Sequence, residues 1–189
     1  MATPVERLAD RLDDLLPQTQ CRRCGFDGCR PYALAMAEGL SGPNRCPPGG
    51  PGTLQALADA LGVEPPAGLD AETGAFGAPT VVVIDESVCI GCAKCLPACP
   101  VDAIVGARRY MHTVLAAECS GCDLCIPACP VDCITVQPAA DEPLSDAAIA
   151  ARAVTLRRRI AARAAREART RAETARRLAA PPADVAGAP

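Results

Sequence analysis

The sequence predicts an α+β chain in three parts: a small α-rich unit, a pseudo-twofold module of short strands, and a long C-terminal helix. Three observations carry this. Cys89 to Ile104 and Cys119 to Ile134, offset by thirty, agree at eleven of sixteen positions, the string PACPVD included, which marks an internal duplication. Thirteen cysteines stand among two tyrosines, two phenylalanines and no tryptophan, so the aromatic anchors of an ordinary core are nearly absent. From Ser145 to about Ala180 the chain is almost all Ala and Arg, both strong helix formers.

The elements follow in order. Val5, Leu8, Leu12 and Leu15 recur at helical spacing from Thr3 and stop before Pro17, predicting a short amphipathic helix. A second helix is expected over 31–38, with Pro31 at its start and Gly39 at its end. A third runs from Thr53, placed to cap, through Leu54, Leu57 and Leu61 to the terminator Gly62. Glu64 to Pro79 is rich in Pro, Gly and Ala without periodicity and reads as a linker. Each repeat is preceded by a β-branched run (Val81–Ile84, Thr113–Leu115) and followed by another (Ile104–Val105, Ile134–Val136), with short helices expected at Pro97 and Pro127. In the tail, Ile149, Ala153, Leu156 and Ile160 form a thin stripe. Arg163/Glu167/Arg171 and Arg169/Glu173/Arg177 set opposite charges four apart, so a largely solvated helix ending before Pro181-Pro182 is expected. The resulting domains are 1–63, a linker 64–79, the duplicated module 80–138, and the helical tail 144–180.

Charge is divided unevenly. Residues 144–180 carry ten arginines against Asp146, Glu167 and Glu173, a net of +7, while the remainder nets −10. The longest apolar run, Val81 to Ile84, is far short of the roughly 20 residues that cross a bilayer. The cysteine count is odd and the start, MATPVERLADRLDD, lacks a basic-then-apolar signal pattern, so a cytoplasmic, reducing location is expected. Clustered cysteines there bind metal or do redox chemistry.

The repeats read Cys89-x2-Cys92-x2-Cys95-x3-Cys99-Pro100 and Cys119-x2-Cys122-x2-Cys125-x3-Cys129-Pro130. This is the spacing of bacterial 2×4Fe-4S ferredoxins, in which the fourth cysteine of each run ligates the other cluster. The expected iron ligands are therefore Cys89, Cys92, Cys95 and Cys129 for one cluster, and Cys119, Cys122, Cys125 and Cys99 for the other. A zinc ribbon needs four ligands and has no use for a third evenly spaced cysteine followed by Cys-Pro, twice over. Gly91 and Gly121 sit inside the loops, where a missing Cβ lets backbone N–H groups approach sulfur. A separate set, Cys21-x2-Cys24-x4-Cys29-x16-Cys46, with Gly25 and Gly28 placed for close backbone approach, fits either a cluster or zinc by spacing alone. Cys133 aligns with Ala103 and is expected as a small buried side chain beside a cluster; His112, the only histidine, is expected in a structural or surface role.

The segments LLPQTQCRRCGFDGCRPYALAMAEG, NRCPPGG, VVVIDESVCIGCAKCLPACPVDAIVGA and MHTVLAAECSGCDLCIPACPVDCI, in this order over Leu15 to Val136, closely resemble the B subunit of the Rnf/Rsx ion-translocating electron transport complex. The resemblance implies a 4Fe-4S cluster on Cys21, Cys24, Cys29 and Cys46, and so three clusters in all. It implies an electron relay with no catalytic residues, between redox proteins that include flavin- and NAD-linked and membrane subunits. Members of that family begin with a membrane-spanning helix and a hinge; this chain begins about twenty residues before Cys21, so a form without the anchor, peripheral on the cytoplasmic face of the inner membrane, is expected. Two other readings stand beside it: a free-standing soluble ferredoxin, and a metal-stabilised non-redox binding protein whose basic tail meets nucleic acid or acidic lipid. The tail has no aromatic residues interleaved for base stacking, and no nucleic acid is expected.

Overall fold

Helix α1 (Pro4–Leu15) starts where Thr3 and Glu6 form a reciprocal cap: the Thr3 hydroxyl accepts from the Glu6 N–H at 3.1 Å, and the Glu6 carboxylate accepts from the Thr3 N–H at 2.6 Å. The computed structural model to which it belongs describes residues 2–179; the expected helix end at Ala180 before Pro181-Pro182 lies outside them. The buried face of α1 is Ala9, Leu12 and then Leu16, not the expected row through Val5 and Leu15, which are each 38% exposed. The helix rolls so that Leu8, Leu12 and Leu16, four apart, meet helix α2 (Cys29–Ala37).

Helix α2 begins two residues ahead of Pro31, because the Gln20 side chain accepts from the Cys29 N–H at 3.0 Å and satisfies a first-turn donor. It ends as expected: Gly39, at φ +74°, lets the N–H groups of Gly39 and Leu40 return to the carbonyls of Met36 and Ala35. Helix α3 (Gly50–Leu61) starts three residues before Thr53, which is buried in the first turn and caps nothing; Pro51 opens the helix and left-handed Gly62 closes it. Leu12, Leu16, Tyr32, Met36 and Leu57 pack with Cys24, Cys29 and Cys46 into one small core. Residues 64–79 lie against this unit: the Asp70 N–H donates to Asn44 O at 2.9 Å, and its carboxylate pairs with Arg45 at 3.0 Å.

The duplicated module comprises β1 (Thr80–Ile84), α4 (Cys95–Ala98), β2 (Ile104–Val105), β3 (Thr113–Val114) and β4 (Ile134–Pro138). Strands β1 and β4 pair antiparallel from Thr80↔Pro138 to Ile84↔Ile134, and β2 pairs with β3 through Ile104↔Val114 and Val105↔Thr113. Each ribbon takes one strand from each repeat, so neither half completes a sheet alone. The loops repeat closely: φ is 67° and 68° at Gly91 and Gly121, 62° and 61° at Ala93 and Asp123, and 52° and 50° at Asp102 and Asp132. The symmetry fails where a second helix was expected at Pro127, since residues 124–128 form only turns. Arg163 donates to the carbonyls of Leu96, Pro97 and Cys99, the acceptors a helix end leaves free, and so supports α4 in the first copy.

That arginine belongs to α5 (Asp146–Ala179), whose start is capped by the Ser145 hydroxyl accepting from the Ala148 N–H at 3.3 Å. The expectation of a largely solvated helix is corrected over its first half. Ile149, Ala153 and Leu156 are buried, and Leu156 enters the core of the duplicated module with Ile160 packed beside it. Burying that one leucine contributes about 2 kcal/mol. Arginines on the same face reach main-chain carbonyls: Arg152 to Cys119 O (2.6 Å), Arg157 to Asp13 O (3.1 Å), and Arg159 to Val101 O (2.7 Å) and Asp102 O (3.0 Å). The helix thus straps both cysteine units together. From Ala168 to Ala179 every residue is exposed, and there the expected pairs Glu167–Arg171 and Glu173–Arg177 form at 3.8 and 2.6 Å. Among the described residues no helix is long and apolar enough to cross a membrane.

Candidate metal centres

Three small voids are each walled by a quartet of cysteines, and in one of them a fifth cysteine, Cys133, also lines the wall. One faces Cys21, Cys24, Cys29 and Cys46. The second faces Cys89, Cys92 and Cys95 from the first run with Cys129 from the second. The third faces Cys119, Cys122 and Cys125 with Cys99. The exchange of fourth cysteines follows from the fold: Cys99 and Cys129 leave their own loops through Pro100 and Pro130 and enter β2 and β4, each paired with a strand that belongs to the other repeat.

The first quartet is wrapped by residues 18–22, in which Gln18, Gln20 and Arg22 all take left-handed φ of 58°, 57° and 61°. Such conformations cost on the order of 1 kcal/mol each. Side chains hold them: Gln18 Nε2 donates to Asp13 O (2.7 Å), Gln20 Nε2 to Gln18 Oε1 (3.0 Å), and Gln20 Oε1 accepts from the Cys29 N–H. A Cβ on Gly28 would stand 2.5 Å from Gln20 Oε1, so glycine is required there by close approach. Gly91 and Gly121 are also required by close approach of the chain. A Cβ at Gly121 would meet Thr80 O at 2.5 Å, and one at Gly91 the Tyr110 backbone at 2.7 Å, so an adjoining chain segment leaves no room for a side chain.

The donors common to all three voids are thiols, which suit iron-sulfur or soft metal ions; His112 and Asp123 each line one of the voids besides. A single tetrahedral zinc ion, with Zn–S near 2.3 Å, draws its sulfurs to within about 4 Å of each other. Among the described residues no three His, Cys, Asp or Glu side chains converge on a point that one ion could occupy. Burial pushes the Cys29 and Cys125 thiols up to about 12 and raises Cys24, Cys46, Cys95 and Cys122. Burial thus disfavours the thiolate form of these six, which a bound cation would stabilise, and binding there would release their protons.

The two pseudo-equivalent voids differ in what flanks the cysteines. His112, 1% exposed, sets Nδ1 3.4 Å from Cys89 Sγ, and its backbone N–H approaches the same sulfur at 3.4 Å. Its Nε2 is buried without a partner, and Gly106 leaves the space its ring occupies. Cys133, buried as expected, lies 3.4 Å from Cys129 Sγ. Burial and the neighbouring Cys129 push Cys133 up to about 12. Burial also lifts Cys129, but donors from Val131, Cys133 and Asp132 outweigh it and hold that thiol below its usual range. The two sulfurs are thus placed to share one hydrogen bond, in which Cys133 can donate when Cys129 is a thiolate. His112 is the residue that sequence reasoning undervalued; the signal available was the thirty-residue offset, which sets it opposite Val82, a wall residue of the other void.

Exposure also separates the centres. All four cysteines of the Cys99/119/122/125 void are buried, whereas Cys89, Cys92 and Cys129 are partly exposed, as is Cys21 in the first quartet. The buried void adjoins the first unit: Ser120 Oγ donates to Thr19 O at 3.1 Å, and Arg23 pairs with Asp123 at 3.0 Å.

Comparison with known proteins places these residues. Residues 82–136 match the family described as "4Fe-4S dicluster domain", and residues 16–48 match one described as "Putative Fe-S cluster". The chain is 64% identical over 132 residues to the B subunit of the ion-translocating oxidoreductase complex of Alkalilimnicola ehrlichii, covering 69% of this chain and 70% of that protein. The protein of the same name from Azoarcus sp. is 58% identical over 134 residues, 71% of this chain and 73% of the relative. That from Thiobacillus denitrificans is 54% identical over 111 residues, 59% of this chain and 58% of the relative. The twelve cysteines of the three quartets, and Cys133, fall inside the two matched segments. With more than half of the aligned residues identical over more than two thirds of two such relatives, the chain belongs to the family of B subunits of ion-translocating oxidoreductase complexes.

Proposed function

We propose that this chain is an iron-sulfur electron carrier that relays single electrons within an ion-translocating oxidoreductase complex of the Rnf/Rsx type. Three centres serve the relay, held by Cys21, Cys24, Cys29 and Cys46; by Cys89, Cys92, Cys95 and Cys129; and by Cys119, Cys122, Cys125 and Cys99. The observation that supports the proposal is the set of three separate voids, each walled by a quartet of cysteines, with Cys133 and His112 beside the quartet in one of them and Asp123 in another. When bound, a 4Fe-4S cluster supplies a one-electron couple.

The protein's own residues do the remaining work. The buried quartet at Cys119 takes the middle position, because its loop touches the first unit through Ser120–Thr19 and Arg23–Asp123, while Cys99 and Cys129 interlock it with the Cys89 quartet. The partly exposed Cys21 and the Cys89/Cys92/Cys129 edge are then the ends at which partners exchange electrons. The partners are other subunits of the complex, flavin- or NAD-linked and membrane-embedded, and the chain lies peripherally on the cytoplasmic face of the inner membrane.

Anaerobically purified chain should contain about twelve iron atoms, four for each centre, and show interacting 4Fe-4S signals in EPR on reduction. Tightly held zinc with little iron would sink the proposal. In Cys99→Ala, iron should fall to about eight atoms per chain, with the loss at the Cys119 loop and not at Cys89. Loss confined to the Cys89 site would overturn the crossed ligation.

A further inference from the structure

The duplication gives two centres whose loops share backbone conformation at Gly91/Gly121, Ala93/Asp123 and Asp102/Asp132, so the side chains beside the sulfurs are a direct source of difference between them. In the Cys99/119/122/125 centre the wall beside Cys119 is Val82 and the residue four after Cys99 is Ala103, neither of which has a polar side chain. At the positions thirty residues on, the other centre has His112, with Nδ1 3.4 Å from Cys89 Sγ, and Cys133, with its sulfur 3.4 Å from Cys129 Sγ. Main-chain donors reach sulfur in both centres, Ala103 N–H to Cys99 Sγ at 3.2 Å in the twin and His112 N–H to Cys89 Sγ at 3.4 Å here, so the side chains add to a main-chain contribution that both centres have. Ser120, which stands opposite Ile90, lies beside Cys122, but its single hydroxyl proton is shared with Thr19 O at 3.1 Å and so offsets the two donors of the other centre only in part.

The surroundings of His112 fix which nitrogen carries the proton. Nε2 is buried with no acceptor, and Nδ1 faces a sulfur. A buried donor left unpaired is costly, so the proton belongs on Nδ1, pointing at Cys89. Cys133 has only its S–H to offer Cys129. Both side chains therefore aim a hydrogen at ligand sulfurs of one centre.

We infer that His112 and Cys133 are positioning residues that raise the reduction potential of the Cys89/92/95/129 centre above that of its twin. The inference rests on the proposed iron-sulfur relay. Accepting one electron adds one negative charge to a centre, and hydrogen-bond donors aimed at its sulfurs stabilise that charge. Burial acts in the same direction: the twin's four cysteines are buried, which disfavours added charge, whereas three of the four here reach solvent. Within the duplicated module the electron then rests at the partly exposed edge, and the buried centre is a step to be crossed.

The test is potentiometric EPR on the full chain carrying the residues of the twin, His112→Val and Cys133→Ala, beside donor-keeping controls, His112→Asn and Cys133→Ser. Iron and its EPR signals in the unaltered chain are measured first, so a failure of the relay reading shows there and not in the variants. His112→Val should lower one midpoint of the three by about tenfold in the one-electron equilibrium, about 59 mV, with iron content unchanged. Cys133→Ala should lower the same midpoint by a smaller amount, and both controls should stay near the parent value. Unchanged midpoints in His112→Val and Cys133→Ala, equal shifts at two centres, or controls that fall as far as the donor-removing variants overturn the inference. Should His112→Val lose iron, the Cys133 pair decides it by the same criteria.

Discussion

Gly121 carries a constraint that no other residue type meets. Its φ of +68° is a conformation that costs an L-residue about 1–2 kcal/mol, and a Cβ would lie 2.5 Å from Thr80 O in the neighbouring strand. Gly121→Ala should therefore destabilise the chain by about 2 kcal/mol or more, read as a drop in Tm, whereas alanine at Gly39, where a Cβ meets nothing within 4 Å, should cost only the backbone strain. The glycine requirement was legible from the Cys-x-Gly-Cys loop, but its cause was not. Spacing shows that a tight loop is needed; only the fold shows which strand presses on it. The same holds for His112, whose sequence neighbours say nothing of Cys89, twenty-three positions away.

At the scale of elements, the docking of α5 turns on Asp102, which receives Arg163 at 3.1 Å and a two-point contact from Arg166. Hydrogen bonding from Arg166, then its charge and that of Arg163, hold the Asp102 carboxyl below its usual range against the opposing effect of burial. A depressed carboxylate stabilises the fold fully above its unfolded value of 3.8, and that contribution drains away as pH falls through the lower folded value. Asp102→Asn should thus speed hydrogen exchange of α5 amides around Arg163 at pH 7, and the difference from the parent should shrink below pH 3.8. A difference that persisted undiminished at low pH would show that the carboxylate charge is not what holds the helix. The strands and helices themselves were read closely from the sequence, because β-branched runs and Pro and Gly stops act locally. Faces were read less well, as Val5 and Leu15 show, because a helix's roll is set by what it packs against.

For the whole molecule, α5 has two halves with different jobs. Its first half buries Ile149, Ala153 and Leu156 and reaches carbonyls of both cysteine units, and its second half, from Ala168, is exposed. A chain ending at Glu167 should keep its iron and melt within a few degrees of the parent. One ending at Pro143 should lose several degrees and release iron faster on dilution, since it uncovers a leucine core and about 2 kcal/mol of burial per large side chain. Equal behaviour of the two truncations would mean that the strap contributes nothing. The ten-arginine tail is thus only partly a free charge run. Its leading arginines are committed to carbonyls and to Glu118 and Asp102.

By itself the sequence determined the duplication, the strand positions and the three cysteine sets, and gave the expectation that the fourth cysteines cross, because cysteine spacing and turn chemistry act over a few residues. Tertiary structure alone decided that residues 64–79 rest on the first unit, that α5 is a strap, and that His112 and Cys133 converge on one of two otherwise matched centres. Those outcomes depend on contacts between residues distant in the chain, and a repeat that looks symmetric in sequence becomes asymmetric only when each copy meets different neighbours.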